Sequence, residues 1–272
     1  MENKVIALDI GGTNLRAAIV KKNKIFNLLK LKTPKLERIF LNEIWLLIEK
    51  LINNEIKEIG ISIPGPVKNG VVLNPPNIPL NNFNLKKYIN KRFRVRVEVE
   101  NDAKCVALAE FYLGLKKRNF FVLTLGTGIG GGAIIDGKLF NRNDIGAEFG
   151  YVFIEKNKTL EELVGMKFFS EKIKKELGSF YSFDELIRMK TKNAKKLVDD
   201  FCTNLGRGIG SLINVFNPEI IILAGGVSKS GEEFIKKVNE ETEKYVLLPK
   251  KYKIVATKLY EPGILGASLL FK

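Results

Sequence analysis

The strongest constraint on the fold is a pair of glycine-rich turns, each set between two apolar runs. The first turn, at residues 11–14 (GGTN), follows an apolar run at 4–9, and the second, at 126–132 (GTGIGGG), follows an apolar run at 120–125. Gly11 and Gly126 stand 115 positions apart, and apolar residues resume after both turns. The pattern predicts strand, turn and strand twice over, and therefore a chain built from two matching halves.

Helices predicted between these strands favour an α/β fold. Apolar residues spaced three and four apart predict a helix at 36–53, and short strands at 59–63 and 95–99 precede a helix at 103–113. The remaining chain predicts helices at 160–177, 183–189, 194–216 and 231–245, with strands at 220–224 and 253–257. We predict a smaller N-terminal domain at 1–117, a larger C-terminal domain at 118–258, and a final helix within 259–272 that returns to the first domain.

Glycine turns of this kind can hold phosphate groups, because backbone N–H groups without a neighbouring side chain approach phosphate oxygens closely. Asp9, at the end of the first strand, is placed to hold Mg²⁺ through water. A third turn, at 225–227, is predicted to face the adenosine. One Gly-Gly turn alone would equally form a plain hairpin, but three in this order predict a nucleotide site. The predicted nucleotide-binding residues are Asp9, Gly11, Gly12, Thr13, Asn14, Gly126, Thr127, Gly128, Gly130, Gly225, Gly226 and Val227.

The composition excludes several kinds of chemistry. The chain has no His, so it has no His general base, no Ser-His-Asp triad and no His metal ligand. Cys105 and Cys202 are too few for a Cys-based zinc or iron–sulfur site, and we predict that both are buried. The net charge of +15 comes from scattered lysines, which predicts a solvated surface and no contact with DNA. Without a disulfide framework, signal peptide or long apolar run, we predict a cytoplasmic location and no membrane contact.

Five segments, in order, resemble the ROK family (repressor, open reading frame, kinase) of sugar kinases within the actin-like ATPase superfamily. They are LDIGGTNLRAAIV, ENDAKCVALAE, LTLGTGIGGGAIIDGKLF, GAEFGY and NPEIIILAGGVS, and they cover nearly the whole chain. The resemblance implies a two-lobed α/β fold of the actin-like ATPase (ribonuclease H-like) type, with the active site in the interdomain cleft. It also implies that ATP phosphorylates a hexose, commonly at O6, and that the protein is a homodimer.

The same resemblance assigns roles to individual residues. Asp102 matches the family's catalytic base, and a carboxylate there can accept the proton of the attacking sugar hydroxyl. The plainer alternative is that Asn101 or Asp102 caps the helix that follows, and both roles can hold at once. The implied sugar-binding residues are Gly65, Asn77, Asn101, Asp102, Glu148, Tyr151 and Glu161.

One segment departs from the family pattern. Family kinases usually carry a His three residues after the first sugar-binding Glu, followed by a Cys-rich zinc loop. Here Tyr151 stands at the His position, and residues 156–159 (KNKT) replace the Cys loop. We therefore predict that the structural zinc is absent. Tyr151 either donates its hydroxyl to the sugar or packs at this position.

The sequence thus predicts an ATP- and Mg²⁺-dependent, glucokinase-like hexose kinase. Fructose, mannose and N-acetylhexosamines are alternative acceptors, and polyphosphate is an alternative donor. A repressor of the family would carry an N-terminal helix-turn-helix, for which a first motif beginning by Leu8 leaves no room. A sugar or nucleotide sensor without catalysis is the remaining alternative, and a measurement of turnover distinguishes it from a kinase.

Overall fold

The computed structural model describes residues 4–141, 145–249 and 251–272. The chain divides into two compact units. Unit 1 comprises Met1–Lys116, Leu139–Gly146 and Leu259–Lys272, and unit 2 comprises Lys117–Lys138 and Ala147–Lys258. Each unit contains a five-stranded mixed sheet with helices packed on it, so the α/β prediction is confirmed.

Unit 1 is built on a sheet with the strand order β3-β2-β1-β4-β8. Its elements are β1 Lys4–Ile10, β2 Asn14–Lys21, β3 Lys24–Lys32, α1 Glu37–Leu51, β4 Ile56–Ile63, β5 Val67–Lys68, β6 Val71–Val72, β7 Phe83–Asn84, α2 Leu85–Phe93, β8 Arg96–Asn101, α3 Asp102–Tyr112 and α9 Pro262–Ser268. β1 runs antiparallel to β2 and parallel to β4, which is parallel to β8. The short strands β5, β6 and β7 form a separate small sheet.

Helices cover both faces of this sheet. Side chains alternate across a strand, so Ile6, Leu8 and Ile10 of β1 face the apolar stripe of α1, whereas Ala7 faces α9. Each fully buried Ile or Leu contributes about 1.5–3 kcal/mol through burial. The α9 face carries small residues, and a Cβ atom at Gly60 would collide with the Ala267 carbonyl. Helix α9 can therefore lie directly on β1 and β4, and it also packs against α3.

Unit 2 repeats this arrangement with the strand order β11-β10-β9-β14-β15. Its elements are β9 Phe120–Leu125, β10 Ile129–Ile135, β11 Lys138–Leu139, β12 Phe153–Glu155, β13 Lys158–Thr159, α4 Leu160–Val164, α5 Met166–Leu177, α6 Phe183–Arg188, α7 Lys192–Phe216, β14 Ile220–Ala224, α8 Glu232–Glu243 and β15 Lys253–Ala256. β9 is antiparallel to β10 and parallel to β14, as β1 is to β2 and β4. Three residues join the hairpin strands in both units, so the prediction of matching halves is confirmed.

Two local predictions were wrong. The second glycine turn was predicted at 126–132, but β10 begins at Ile129 and takes in Gly130, Gly131 and Gly132. These residues can remain in a strand because a neighbouring segment lies where a side chain would stand: a Cβ atom at Gly131 would collide with the Ala147 carbonyl. The helix predicted at 160–177 is two helices, because Gly165 adopts an extended conformation (ψ 130°) between α4 and α5.

Two further observations concern features that the sequence singled out. Cys105 and Cys202 are both buried free thiols, as predicted, and burial raises the pKa of the Cys202 thiol to about 12. No helix within the described ranges combines the length and the apolar character that a bilayer crossing requires.

Candidate active site

The first glycine turn, Gly11 to Thr13, is held from outside by the segment that follows β3. The Thr33 hydroxyl donates to the Gly11 carbonyl (2.5 Å), and Lys35 Nζ donates to the Gly12 carbonyl (3.1 Å). The Gly11 N–H is used inside the turn, where it donates to the Asn14 carbonyl (2.9 Å). Among the described residues, the Gly12 and Thr13 N–H groups donate to no backbone carbonyl. These two N–H groups are therefore the donors that the turn can offer to a phosphate.

Asp9 lies beside this turn, at the end of β1, and its carboxylate is fixed on both oxygens. Ser62 Oγ donates to Oδ1 (2.9 Å) and Arg16 donates to Oδ2 (3.0 Å). Arg16 also lies 3.4 Å from a Glu261 carboxylate oxygen. Gly263 of α9 packs directly against the Asp9 carboxylate, where a Cβ atom would collide with it. A single oriented carboxylate of this kind fits Mg²⁺ held through water, since Mg²⁺ keeps several waters and takes one or two carboxylates.

Asn101 and Asp102 stand where β8 ends and α3 begins. The Asn101 side chain caps α3, because Oδ1 accepts from the Lys104 N–H (3.1 Å), while Nδ2 donates to the Gly65 carbonyl (3.1 Å). Asp102 is the first residue of the helix, and Oδ1 accepts from the Ala103 N–H (2.8 Å). Capping by Asn101 is thus present, and the Asp102 carboxylate sits at the N-terminus of α3.

The structure brings Gly65 and Asn77 to the same unit as Asn101. Gly65 has a positive φ of 85°, and a Cβ atom there would lie 2.9 Å from Cα of Pro75. Only glycine fits such a position without strain. Cβ of Asn77 lies 3.0 Å from where a Cβ atom of Gly12 would stand. The predicted sugar-side loop therefore packs on the first glycine turn, a juxtaposition that the sequence did not reveal.

The second glycine turn, Gly126 to Gly128, is anchored by the start of α5. The Met166 N–H donates to the Gly126 carbonyl (3.0 Å), and the Lys167 N–H donates to the Thr127 carbonyl (2.8 Å). The break at Gly165 allows these two hydrogen bonds, because the first N–H groups of a helix have no acceptor within that helix. The carbonyls of the turn are thereby drawn toward α5. Around Gly126 the space is open, with no atom within 4 Å of an added Cβ.

The third glycine turn lies beside the second. Gly225 has a φ of 89°, and a Cβ atom there would collide with the Leu125 carbonyl, the residue before Gly126. The Ser228 hydroxyl donates to the Gly225 carbonyl (2.9 Å) and fixes the turn. The Val227 side chain is buried, so this residue can offer only its backbone to a ligand, whereas Gly226 has open space around it.

The predicted sugar-binding residues of unit 2 form a cluster of acidic and phenolic groups. Glu161 Oε2 accepts from the Ile129 N–H (2.8 Å) and packs on Gly128. Partial burial, followed by the negative charges of Glu161 and Glu148, raises the pKa of the Tyr151 phenol above its usual value. Tyr151 therefore keeps its proton at neutral pH and can act as a hydrogen-bond donor. Tyr151 is 57% exposed, so it does not serve as core packing.

A β-hairpin occupies the segment where family kinases carry the zinc loop. β12 and β13 pair antiparallel, with Asn157 in a left-handed conformation (φ 60°) at the turn between them. The hairpin leads into a capping box, in which Thr159 and Glu162 exchange hydrogen bonds at the start of α4. Within the described ranges, no cluster of three or more acidic or Cys side chains has the geometry of a metal site.

We expect a strong zinc chelator to leave the thermal unfolding midpoint of the protein unchanged. The reason is that the hydrogen bonds of the hairpin and the capping box stabilise this segment without a metal. Differential scanning fluorimetry with and without chelator, together with elemental analysis of the purified protein, measures this. A lowered midpoint accompanied by about one zinc per chain would contradict the prediction.

Comparison with known proteins agrees with the fold. The glucokinase of Thermotoga maritima is 30% identical over 309 residues, covering 99% of this chain and 97% of that protein. The β-glucoside kinase of Listeria monocytogenes is 30% identical over 294 residues, covering 97% of this chain and 96% of that protein. The crystal structure of a ROK family glucokinase from Streptomyces griseus in complex with glucose and AMPPNP matches the fold with a TM-score of 0.88, at 24% identity over 98% of both chains.

The fold and these relatives define the class of the protein, which is that of sugar kinases with an actin-like ATPase fold. The family model described as ROK family matches residues 5–272, and the chain belongs to the ROK family. The predictions of family, fold class and sugar kinase class are confirmed.

Proposed function

We propose that this protein transfers the γ-phosphoryl group of ATP to a hydroxyl group of a hexose, with the 6-hydroxyl of glucose as the first acceptor to test. The bond from the acceptor oxygen to the γ-phosphorus forms as the bond from that phosphorus to the β,γ-bridging oxygen breaks. ADP leaves, and the hydroxyl proton passes to the Asp102 carboxylate. The products are a sugar phosphate and ADP, and Asp102 later loses its proton to water.

The observation that carries the proposal is the placement of Asp102 at the first turn of α3, directly after the fixed amide of Asn101. A general base must be held in one place to reach the hydroxyl, and catalysis of phosphoryl transfer depends mostly on such positioning. The three hydrogen bonds of Asn101 and the helix start restrict both residues. We propose that Asn101 also binds a sugar hydroxyl, since its amide oxygen and nitrogen each keep further hydrogen-bonding capacity.

The nucleotide part of the proposal depends on the three glycine turns. Gly12 and Thr13 offer N–H groups, and open space surrounds Gly126 and Gly226, so phosphate and ribose groups can approach the backbone. Asp9 would hold Mg²⁺ through water. When bound, Mg²⁺ neutralises charge on the phosphate oxygens. Dependence on Mg²⁺, a homodimer and a cytoplasmic location stay predictions.

The sugar part of the proposal concerns two groups of residues, each within its own unit: Glu148, Tyr151 and Glu161 in unit 2, and Gly65 and Asn77 in unit 1. Fixed charged acceptors discriminate the hydroxyl pattern of a polyol, because a mismatched hydroxyl leaves a polar group without its partner. Tyr151, at the position where relatives of the family carry His, supplies a neutral donor that stays protonated to mildly alkaline pH, since its pKa is raised. We propose that this exchange sets the range of accepted sugars.

We expect Tyr151→Phe to raise the KM for the accepted sugar about 5-fold to 50-fold, because one hydrogen bond to the substrate is lost, while the KM for ATP changes little. Tyr112→Phe, a partly exposed tyrosine on α3, is the matched control. Steady-state kinetics with saturating ATP measures both. An unchanged sugar KM in Tyr151→Phe would show that the Tyr151 hydroxyl does not bind the sugar.

The test of the proposed function is ADP formation from ATP and Mg²⁺ by the purified protein across a panel of sugars. Glucose, mannose, fructose, N-acetylglucosamine and N-acetylmannosamine are each supplied at saturating concentration, and polyphosphate replaces ATP in a parallel series. Sugar-dependent ADP formation supports the kinase, and the sugar with the highest kcat/KM names the substrate. Binding of sugar or nucleotide by calorimetry without any turnover would favour a sensor and overturn the proposal.

A further inference from the structure

Lys104 is buried on α3, two residues after Asp102. Its side chain is 1% exposed, and it ranks among the largest fully buried side chains of the chain. Removing an ammonium group from water costs several kcal/mol unless charged or polar partners compensate for the loss. The sequence alone predicts a solvated lysine at this position. Its burial therefore requires an explanation.

Glu100 and Asn141 are polar partners of this buried side chain and form a triangle of contacts with Lys104. Lys104 Nζ donates to Asn141 Oδ1 (2.5 Å) and lies 3.8 Å from Glu100 Oε1. Asn141 Nδ2 donates in turn to Glu100 Oε2 (3.1 Å). Glu100 is in β8, Lys104 is on α3, and Asn141 is in the segment Leu139–Gly146, which belongs to unit 1. We name these three residues the Lys104 triangle.

The Lys104 triangle is connected to Asn101 by two further hydrogen bonds. Glu100 Oε1 accepts from the Asn101 N–H (2.8 Å), and the Asn101 Oδ1 atom accepts from the Lys104 N–H (3.1 Å). The backbone and the side chain of Asn101 are therefore both fixed by members of the triangle. Because Asp102 follows Asn101 directly, a movement of Glu100 would displace the carboxylate of the proposed base.

We propose that Lys104 is a positioning residue for the phosphoryl transfer: its buried ammonium holds Glu100 and Asn141 in place, and Glu100 in turn fixes Asn101 and Asp102 at the start of α3. This inference rests on the proposed function, because it concerns the same base. Lys104 touches no reacting atom, so its effect on catalysis runs through geometry. A displacement of about 1 Å at a reacting group can cost about 100-fold in rate.

We expect Lys104→Met to lower kcat about 10-fold to 100-fold while the KM for ATP stays within about twofold of the original value. The long apolar side chain of Met fills the space but leaves Glu100 without the Lys104 ammonium. Combining it with Glu100→Gln removes the excess negative charge, so the double variant should recover at least part of the lost kcat. Asn141→Ala, which removes one partner and keeps the lysine, should lower kcat less than Lys104→Met does.

Ile48→Val is the matched control, because Ile48 is fully buried in α1 and lies outside the triangle. It lowers the unfolding midpoint by loss of a methyl group and should leave kcat unchanged. Unfolding midpoints are measured for every variant, and kinetics are measured well below all of them. If Lys104→Met and Ile48→Val have similar unfolding midpoints, a positioning role predicts that only Lys104→Met loses kcat. A merely structural role predicts the same kcat for both variants.

Two outcomes would overturn the inference. One is a folded Lys104→Met variant with the kcat of the unaltered protein, and the other is a double variant no more active than Lys104→Met while Asn141→Ala is fully active. Should Lys104→Met fail to fold, Asn141→Ala decides the question alone, and a fully active Asn141→Ala would then overturn the inference. Failure of the proposed function gives a different result, since the unaltered protein would then form no ADP with any sugar.

Discussion

Asp102→Asn should lower kcat for the accepted sugar about 10²-fold to 10⁴-fold and leave the fold intact. Asparagine has the same shape, and its amide oxygen can accept the Ala103 N–H as the Asp102 carboxylate does. It cannot take the proton of the acceptor hydroxyl, because its amide is far too weak a base. The sugar KM should change less than kcat, since the loss falls on the transition state. Steady-state kinetics, with circular dichroism to compare the folds, measures the effect.

Asp184→Asn is the matched control for this substitution. Asp184 also stands in the first turn of a helix, α6, and pairs with Arg188 at the surface (2.7 Å). An exposed pair of this kind contributes at most about 0.5 kcal/mol, so the control should keep both its stability and its kcat. Turnover of Asp102→Asn at the rate of the unaltered protein would show that Asp102 is not the base. An equal loss in both variants would point to a general effect of removing a helix-terminal charge.

Local patterns in the sequence were enough to predict the frame of this fold. The strands before both glycine turns coincide with the apolar runs, and the spacing of 115 positions holds from Ile10 and Asn14 to Leu125 and Ile129. The start of α3 also follows from a local pattern, since Asn101 is a good N-cap residue before a helical run. Such features depend on residues that are close in sequence, so a local sequence pattern is sufficient to predict them.

Contacts between distant segments could not be predicted. Thr33 and Lys35 hold the first glycine turn from 22 and 23 residues away, and nothing in their spacing marks them. Asn141 accepts a hydrogen bond from Lys104, 37 residues away in the sequence, and no local pattern indicates this contact. The sequence therefore predicted a solvated lysine where the structure has a buried one. Glycine patterns misled for the same reason. The stretch 126–132 contains strand residues because Ala147 and Phe149 pack against Gly131, and no local rule shows which glycine makes room for a distant chain segment.

Gly126→Ala and Gly131→Ala should separate these two uses of glycine. A Cβ atom at Gly131 would collide with the Ala147 carbonyl and the Phe149 ring, neither of which is a flexible side-chain end. We expect Gly131→Ala to lower the free energy of unfolding by about 2 kcal/mol or more, since overpacking in a tight interior costs about 1–3 kcal/mol. Glu148 directly follows Ala147, so the sugar KM should rise as well. Denaturant unfolding and kinetics at low temperature measure both effects.

Gly126→Ala should behave in the opposite way. Its φ is not in the left-handed region and no atom lies within 4 Å of an added Cβ, so the free energy of unfolding should change by less than about 1 kcal/mol. The proposal places ATP phosphates in this open space, and a methyl group there would keep them from the backbone. The KM for ATP should therefore rise about 10-fold or more, while the sugar KM changes little. If Gly126→Ala alters neither stability nor the ATP KM, the phosphates do not bind in the open space around Gly126. Gly226 is then the next glycine to substitute, because an added Cβ atom there also has no atom within 4 Å.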